Sequence, residues 1–456
     1  MIRLTDFRKK ISSDTTEKIQ LDSIYIFGNN KTKDYIILRE LNIKVGDLML
    51  PSELNEKLLL CREAVYNTNL FSEVKITPEI ISPAKFKLNI NVTERWYIYP
   101  IPQFQIIDRN FNEWFRTNNA DFNRLIYGLK YKDYNFSGRA DKLNIVFLNG
   151  YNRYFTVGYA EPYSNKKLNQ GFSLGIGLTQ NKEFAYKTDY NNKLVFYKKD
   201  FFVKSNLFFS GTFFTRRGLY KKHLFGFQYN AGNISDSFVI KNYNGNYLND
   251  SISNIHFPDF SYSFLYVKTD NVNYPLKGTI FMLGIGKRGL GLKGGINMLS
   301  ADIVYKKFYT HSNHFYSNIQ LASKIKLPFN QAYINQRALG YGDYNLRGLE
   351  YYVVDGTLSS IVKLTLSKKL FQTKIPIPIK SKFISSIPLS VYTKAYTDVG
   401  YAYNKNDFNT QLNNKVLYTS GFGFDIITLY DMKLSIEFSI NQLNEKGIFL
   451  QSRGVL

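Results

Sequence analysis

Cysteine is almost missing from these 456 residues, and its scarcity removes two architectures at once. The single Cys61 allows neither a disulfide framework nor a thiolate metal cluster. Histidine is nearly as scarce: His311 and His314 stand three apart in a polar turn, and His223 and His256 are isolated. No metal site is expected from that spacing. No stretch approaches the roughly 18 consecutive apolar residues that a membrane-spanning helix needs. The N-terminal stretch, Met1 to Gln20, is polar and lacks the hydrophobic segment of a secretory signal, so the numbering is expected to describe a mature or trimmed chain. Acidic residues are in deficit, 36 against 59 lysines and arginines, for a formal net charge of +23. Such a balance suits nucleic acid, but here the cations are scattered over loops and turns and form no stripe. Anionic lipid headgroups are served equally well by that distribution. Two enzyme-like patterns lack their context. Gly171-Phe172-Ser173-Leu174-Gly175 lies mid-strand, where a nucleophile elbow needs a strand-to-helix turn. Gly284-Ile285-Gly286-Lys287-Arg288-Gly289 opens no helix. No catalytic set and no cofactor are expected.

What the chain has in quantity is aromatic: 36 Tyr and 37 Phe, against 2 Trp. Hydrophobic residues make up 44%, yet the mean hydropathy is −0.27, so apolar and polar side chains must be interleaved. Strands that put apolar residues on the lipid side alone give that composition. A large soluble β protein gives it too, and the alternation pattern has to decide between them.

Residues 1–18 read as a polar tail. Ile19 to Phe27 alternates as a strand and closes on the turn signal Gly28-Asn29-Asn30. A short helix follows in KTKDYIILRELN, with Ile37, Leu38 and Leu41 on one side. Gly46-Asp47 breaks the chain, and Pro51 sits at the entry of a second helix, where its missing N–H does no harm. Leu54, Leu58, Cys61 and Val65 line one face of that helix, so Cys61 reads as a small core residue. Strands over Ser72–Ile81 and Lys85–Trp96 complete a β-α-α-β-β order, enough for one sheet and two helices around a small core. The stretches IYIFGNNKTKDYIILRELNIKVGD, AVYNTNLFSEV and INVTER resemble a POTRA (polypeptide-transport-associated) domain, which would occupy residues 19–96. Gly28-Asn29, Arg39-Glu40, Gly46, Leu70-Phe71 and Glu94 stand where that family's pattern puts them. The resemblance implies an exposed edge strand to which an unfolded client can pair through its main chain, largely without regard to sequence. Taken singly, Gly28 serves the turn and Phe71 the core.

From Tyr97 to residue 456 no amphipathic helix is found, and strand signals follow one another. Phe172, Leu174, Ile176 and Leu178 alternate with Ser173, Gly175, Gly177 and Thr179. Phe225, Phe227, Tyr229 and Ala231 oppose Gly226, Gln228, Asn230 and Gly232, and Leu434, Ile436, Phe438 and Ile440 oppose Ser435, Glu437, Ser439 and Asn441. A soluble sandwich would fill its inner face with large side chains. Here the second face is small and polar, as a wet lumen requires. The expected fold is therefore a transmembrane antiparallel β-barrel behind an N-terminal α/β domain. About seventeen strand candidates can be counted; the POTRA resemblance implies a barrel of sixteen, which makes Asn191–Lys199 the segment best read as a loop extension. Tyr274-Pro275-Leu276-Lys277-Gly278 reads as a tight turn. The longest loops are Ser237–His256 and Pro328–Asp355.

The second of these loops carries Gln336-Arg337-Ala338-Leu339-Gly340-Tyr341-Gly342-Asp343-Tyr344-Asn345-Leu346-Arg347-Gly348-Leu349. It resembles the inward-folding sixth loop of the BamA/TamA superfamily, a Gly-rich stretch ending in (V/L)-R-G-(F/Y), with Leu349 in the aromatic's place. The resemblance implies that Gly340, Gly342, Arg347 and Gly348 form a loop returning into the barrel. Its arginine would meet an acidic residue on a strand reading F-x-D-x-G, here Tyr396-Thr397-Asp398-Val399-Gly400. Along that strand Tyr392, Lys394, Tyr396, Asp398 and Gly400 share a face, so Asp398 points into the lumen, within reach of a guanidinium as a bidentate pair. Asp425 is a second candidate partner, and a solvated loop arginine is the plain alternative. Tyr134-Asn135-Phe136-Ser137-Gly138 and Ala160-Glu161-Pro162-Tyr163 resemble early-barrel turns of the same superfamily. Lys446–Leu456 is short for a last strand and lacks the usual terminal aromatic.

Membership implies a protein of the Gram-negative outer membrane with its POTRA domain in the periplasm. It would insert unfolded outer-membrane proteins at a seam between Trp96–Ile107 and Lys446–Leu456. Export of a secreted client, as in two-partner secretion, is the alternative; such transporters usually carry two POTRA domains and a plug helix. A structural place in an envelope complex is a third reading. Client proteins, accessory envelope proteins and outer-membrane lipid or lipopolysaccharide are the expected partners, and nucleic acid is not.

Overall fold

The computed structural model describes residues 17–453 apart from 108–120, 242, 245, 249–252, 292–295, 343, 377–385 and 406–409. Most of the polar tail, Asp343 and Leu456 lie outside the described residues.

The N-terminal domain runs β1 (Ile19–Phe27), α1 (Asp34–Leu38), β2 (Leu48–Met49), α2 (Pro51–Tyr66), β3 (Phe71–Ser82) and β4 (Lys85–Glu94). Its sheet has the order β2-β1-β4-β3, with β1 parallel to β4, so β3 is an edge. Helix α2 starts on Pro51 and buries Leu54, Leu58, Cys61 and Val65, the face expected from the sequence. They pack with Phe71, Phe86, Leu88 and Ile90 between helix and sheet. Full burial of a side chain of that kind contributes roughly 1.5–3 kcal/mol. Two expectations need correction. The order contains one more strand, the two-residue β2, too short to show alternation. Leu38 is exposed, because α1 is a single turn and a half, and Ile36 joins Ile37 on its inward side.

After Glu94 the chain is strand upon strand: β5 (Ile98–Ile106), β6 (Leu125–Asp133), β7 (Lys142–Gly150), β8 (Asn152–Tyr163) and β9 (Gln170–Asn181). A detached hairpin of β10 (Glu183–Thr188) and β11 (Leu194–Lys198) follows. Next come β12 (Lys204–Arg217), β13 (Lys221–Ile234), the short helix α3 (Asp236–Ile240) and β14 (Asn254–Thr269). Then come β15 (Gly278–Arg288), β16 (Met298–Thr310) and β17 (Phe315–Leu327). The long loop contributes a small pair, β18 (Arg337–Leu339) with β19 (Val354–Asp355). The series ends with β20 (Leu358–Pro376), β21 (Ser386–Tyr403), β22 (Val416–Ile427), β23 (Lys433–Asn441) and β24 (Lys446–Arg453).

Sixteen of these strands form one antiparallel sheet in chain order, with β5 and β24 as its terminal members. The seventeenth sequence candidate is β11, which stands outside the sheet as expected. The backbone N–H of Trp96, just before β5, donates to the Tyr430 hydroxyl in the β22–β23 turn at 3.1 Å. The sheet therefore curls round until its end lies beside its beginning.

Burial along the strands is inverted relative to a soluble protein. On β9, Phe172, Leu174, Ile176 and Leu178 are exposed. On β23, Leu434, Ile436 and Ile440 are exposed, while Ser435, Glu437, Ser439 and Asn441 are buried. Polar residues inside and apolar residues outside is the arrangement a bilayer selects. The end of the barrel that meets the N-terminal domain, the near end, has mostly short turns. The far end carries the long excursions after β9, β13 and β17.

Candidate functional site

The 328–355 loop turns back into the far half of the barrel because glycines let it. Gly340 has φ +81°, and a Cβ there would strike the Tyr352 carbonyl oxygen at 2.1 Å. Gly348, at φ +89°, faces Ser439, 2.7 Å from where its Cβ would be. Gly342 also has positive φ, but nothing crowds it. Only glycine takes such backbone angles without strain. The wall gives way as well: a Cβ on Gly400 would lie 2.8 Å from the Leu346 side chain, so Gly400 makes the space that Leu346 fills.

Arg347 lands on Asp398. Its Nε donates to Asp398 Oδ2 at 2.9 Å, its backbone N–H donates to the same oxygen at 3.0 Å, and its Nη2 donates to Oδ1. The remaining donors go to Thr365 Oγ1 at 3.1 Å and to the Leu364 carbonyl at 3.3 Å. The Tyr396 ring lies 3.9 Å from the guanidinium carbon, a stacking that adds cation–π attraction. Asp398 is 0% exposed. Burying a carboxylate costs several kcal/mol, offset only when its oxygens are paired and bonded, as they are here. Asp425, the second candidate, does not reach Arg347. It accepts from Lys394 Nζ at 2.6 Å, Ser435 Oγ at 2.7 Å and the Tyr274 hydroxyl at 3.1 Å. Lys394 also donates to Glu437 at 2.5 Å. Asp425 stands on β22 opposite Tyr392, two residues past Lys394 and toward the near end, where Lys394 reaches it first.

Contacts that the sequence did not signal tie this loop to the final strands. Asn441 Nδ2 donates to the Gly348 carbonyl at 3.0 Å. Gln451 on β24 donates to Glu350 at 3.1 Å, Tyr351 meets the Phe449 ring at 5.7 Å, and the Tyr352 hydroxyl donates to Glu445 at 2.6 Å. The loop thus braces β24 from inside.

Above it, the far end is capped. Phe184 and Tyr197 of the detached hairpin pack with Phe238, Tyr247 and Tyr333 in a buried aromatic cluster. Phe184 lies 5.0 Å from Phe238 and 5.2 Å from Tyr247, ring centre to ring centre. Asn192 at the hairpin tip donates to the Val353 carbonyl at 3.0 Å and accepts from the Leu412 N–H at 2.8 Å, joining three loops.

The N-terminal domain is seated on the near-end turns. Glu40 receives two bonds from Arg216, at 2.5 and 2.7 Å, and Arg39 donates to the carbonyls of Leu168 and Gly218. Arg95 reaches Asp431 at 3.1 Å, and Lys31 reaches Asp133 at 3.3 Å. The Tyr66 hydroxyl donates to Asp431 at 2.8 Å, and burial, then the Asp431 charge, push its pKa up to about 12. Gly138 has φ +82° and no room for a Cβ against the Lys31 carbonyl, and its own carbonyl accepts from the Lys33 N–H at 3.0 Å. Within the domain, Gly28 (φ +92°) has no room for a Cβ against the Val92 carbonyl, Asn29 donates to Asp34 at 2.6 Å, Gly46 (φ +95°) turns the chain, and Phe71 is core.

The 270–277 connection, read from sequence as a plain tight turn, does more. Asn67 and Asn69 of the N-terminal domain bond to Thr269, Val272 and Asn273, while Tyr274 reaches inward to Asp425 and packs 5.0 Å from Tyr392. Between this turn and Arg347 lies a cavity of about 290 Å³, also lined by Lys394, Asp425 and Glu437.

Sixteen antiparallel strands with apolar residues outward, a loop pinned inside and an N-terminal α/β domain define a transmembrane β-barrel of the POTRA-bearing class. Residues 19–95 match the POTRA family model, described as a surface antigen variable number repeat, and are a POTRA domain. Across 95% of the chain and 75% of the other, the fold is similar to CdiB from Escherichia coli, with a TM-score of 0.54 and 12% identity. BamA from Haemophilus ducreyi lacking POTRA domains 1–3 aligns with 96% of the chain and 84% of its own, at a TM-score of 0.48 and 14% identity. No curated protein matches the chain by sequence.

Proposed function

We propose that this chain is an outer-membrane assembly factor, receiving unfolded β-barrel proteins at its periplasmic POTRA domain and templating their strands at the seam between β5 and β24. One observation carries the reading: among the described residues the POTRA domain sits on the near-end turns and the aromatic cluster spans the far-end loops, which favours the wall as the route. The seam strand β24 has only eight residues, and its Ile448 and Leu450 are each more than 70% exposed. Few ladder bonds hold such a strand, and the loop behind it supplies the support that an exchange of partners needs. The POTRA edge β3 offers main-chain donors and acceptors for a client in transit. No catalytic step, metal or cofactor enters this reading.

Export of one dedicated protein through the lumen is the second reading. The inward serines and glycines of β12 to β16 favour it, since they leave a polar passage once the POTRA domain and the loop move. Photo-crosslinkers at Ile448, at Phe104 on β5 and at Ile81 on the POTRA edge separate the two in cells. Assembly predicts many different barrel proteins captured at both seam positions. A single secreted protein would replace it with export, and no client at any position would leave a structural role in an envelope complex.

A further inference from the structure

One near-end connection is unlike the others. The β16–β17 turn needs only residues 311–314, but β20 and β21 run on past the rim. The pairing of β20 with β17 ends at Lys368–Phe315, and β21 pairs with β22 only from Ser390 onward. Beyond those points the two strands pair with each other alone, through Phe371–Val391, Thr373–Leu389 and Ile375–Ile387 to Pro376–Ser386. Seven residues past Lys369 extend about 23 Å as a strand. Opposed residues share a face, so Phe371, Ile375, Ile387, Leu389 and Val391 lie together, with Lys374 and Gln372 on the other side. Val391 is on the same side of β21 as Val399, which faces out of the barrel, so the apolar face of the ribbon continues the membrane-facing wall. Phe371 and Ile375 are about half exposed. Lys374 stands in the ribbon and Lys368 and Lys369 at its base, and the sequence has no acidic residue between Asp355 and Asp398.

We infer that this ribbon lies on the membrane leaflet at the near end, its apolar face in the boundary between headgroups and acyl chains and its lysines on anionic headgroups. An amphipathic element with cationic residues opposite its apolar face binds such a surface through buried area and charge together. The occupant is lipid and not a client strand. Pro376 and Pro388 stand in the ribbon, and proline fits a ladder only where its missing N–H faces outward. Each outer edge therefore lacks one donor that an added strand would use. The inference rests on the barrel being transmembrane, so its test carries a control for that.

The full chain is placed in nanodiscs of phosphatidylcholine and phosphatidylglycerol with brominated acyl chains, with a bimane label on Ile387→Cys. A second protein carries the label on Leu364→Cys, in the membrane-facing wall of β20. The native Cys61 is fully buried, and burial pushes its thiol pKa up, so it stays unlabelled. Both labels are expected to be quenched by brominated lipid and protected from aqueous iodide. Replacing Lys368, Lys369 and Lys374 by Gln should lower lipid quenching at 387 alone, by roughly fivefold per lysine in the ratio of bound to free ribbon. Iodide quenching at 387 with lipid quenching at 364 would overturn the inference and leave the barrel standing. Iodide quenching at both positions would remove the transmembrane reading as well. Leu389→Cys serves the same purpose if Ile387→Cys fails to assemble.

Discussion

The two ends of the barrel are sealed by different chemistry. At the far end the seal is a hydrophobic core in miniature, with Phe184, Tyr197, Phe238 and Tyr247 in ring contact above a loop whose arginine is locked on a buried carboxylate. At the near end it is a docking surface, made of ion pairs and asparagine hydrogen bonds between the POTRA domain and the turns. A core of buried rings opens only by unfolding, because its energy is spread over many contacts that form together. A set of separate ion pairs and hydrogen bonds can be released one at a time, though Glu40, Arg95 and Asp133 are themselves buried and salt screens their pairs little. The difference teaches which seal is built to move.

Four experiments can break or sharpen that contrast. The largest effect is expected at the far end from Arg347→Ala, which leaves Asp398 charged and buried and should cost about 3–5 kcal/mol. A fall in the thermal unfolding midpoint of the barrel in detergent measures it. Arg347→Lys, which keeps the charge and loses the fork, should recover only part and should impair function. Normal assembly and activity of that variant would sink the ion-pair account. Next, Phe238→Ala empties the middle of the cap and should cost about 3 kcal/mol. It should also speed proteolysis of the 183–198 hairpin while leaving POTRA docking intact. At the near end, Arg216→Ala should weaken docking by about 2 kcal/mol. The release is read as faster cleavage between the POTRA domain and β5, with no change in barrel melting. An equal loss of barrel stability from Arg216→Ala and Phe238→Ala would erase the distinction. The smallest effect is a pH dependence. Tyr66 has a docked pKa raised to about 12, so its contribution is fully present below the ordinary tyrosine value near 10. It is lost as pH rises through about 12, and docking should loosen across that window. Tyr66→Phe should flatten the profile.

Most of the fold could be read in the chain because periodicity is local. The face of α2 and the alternation of β9 and β23 are decided by neighbours two to four residues away. The β11 segment kept its ambiguity until its partner β10 was known, since four apolar residues and a lysine cannot say which sheet they join. At the site, Arg347 and Asp398 were legible through a motif and a pleat. Glu350, Tyr351 and Tyr352 were not, because their partners on β24 and in the turn before it lie about a hundred residues away and carry no local pattern. The same holds for Arg216 with Glu40, and for the cap aromatics, which read as ordinary loop residues until three loops converge. Lumen polarity was anticipated, but not that the polar side chains along β21 to β23 would be largely buried, under the loop that the motif announced.

The turn from Asp270 to Lys277 belongs to both halves of the molecule. Asn67 of the POTRA domain accepts from its Val272 N–H and Asn69 from its Asn273 side chain, and its Tyr274 holds Asp425, whose partner Lys394 also holds Glu437 beside Arg347. If moving this turn changes the free energy of the loop's seat by some factor, reciprocity requires that releasing the loop change POTRA docking by the same factor. Work done at one end is then felt at the other, and the seam brace and the POTRA seat share a single equilibrium.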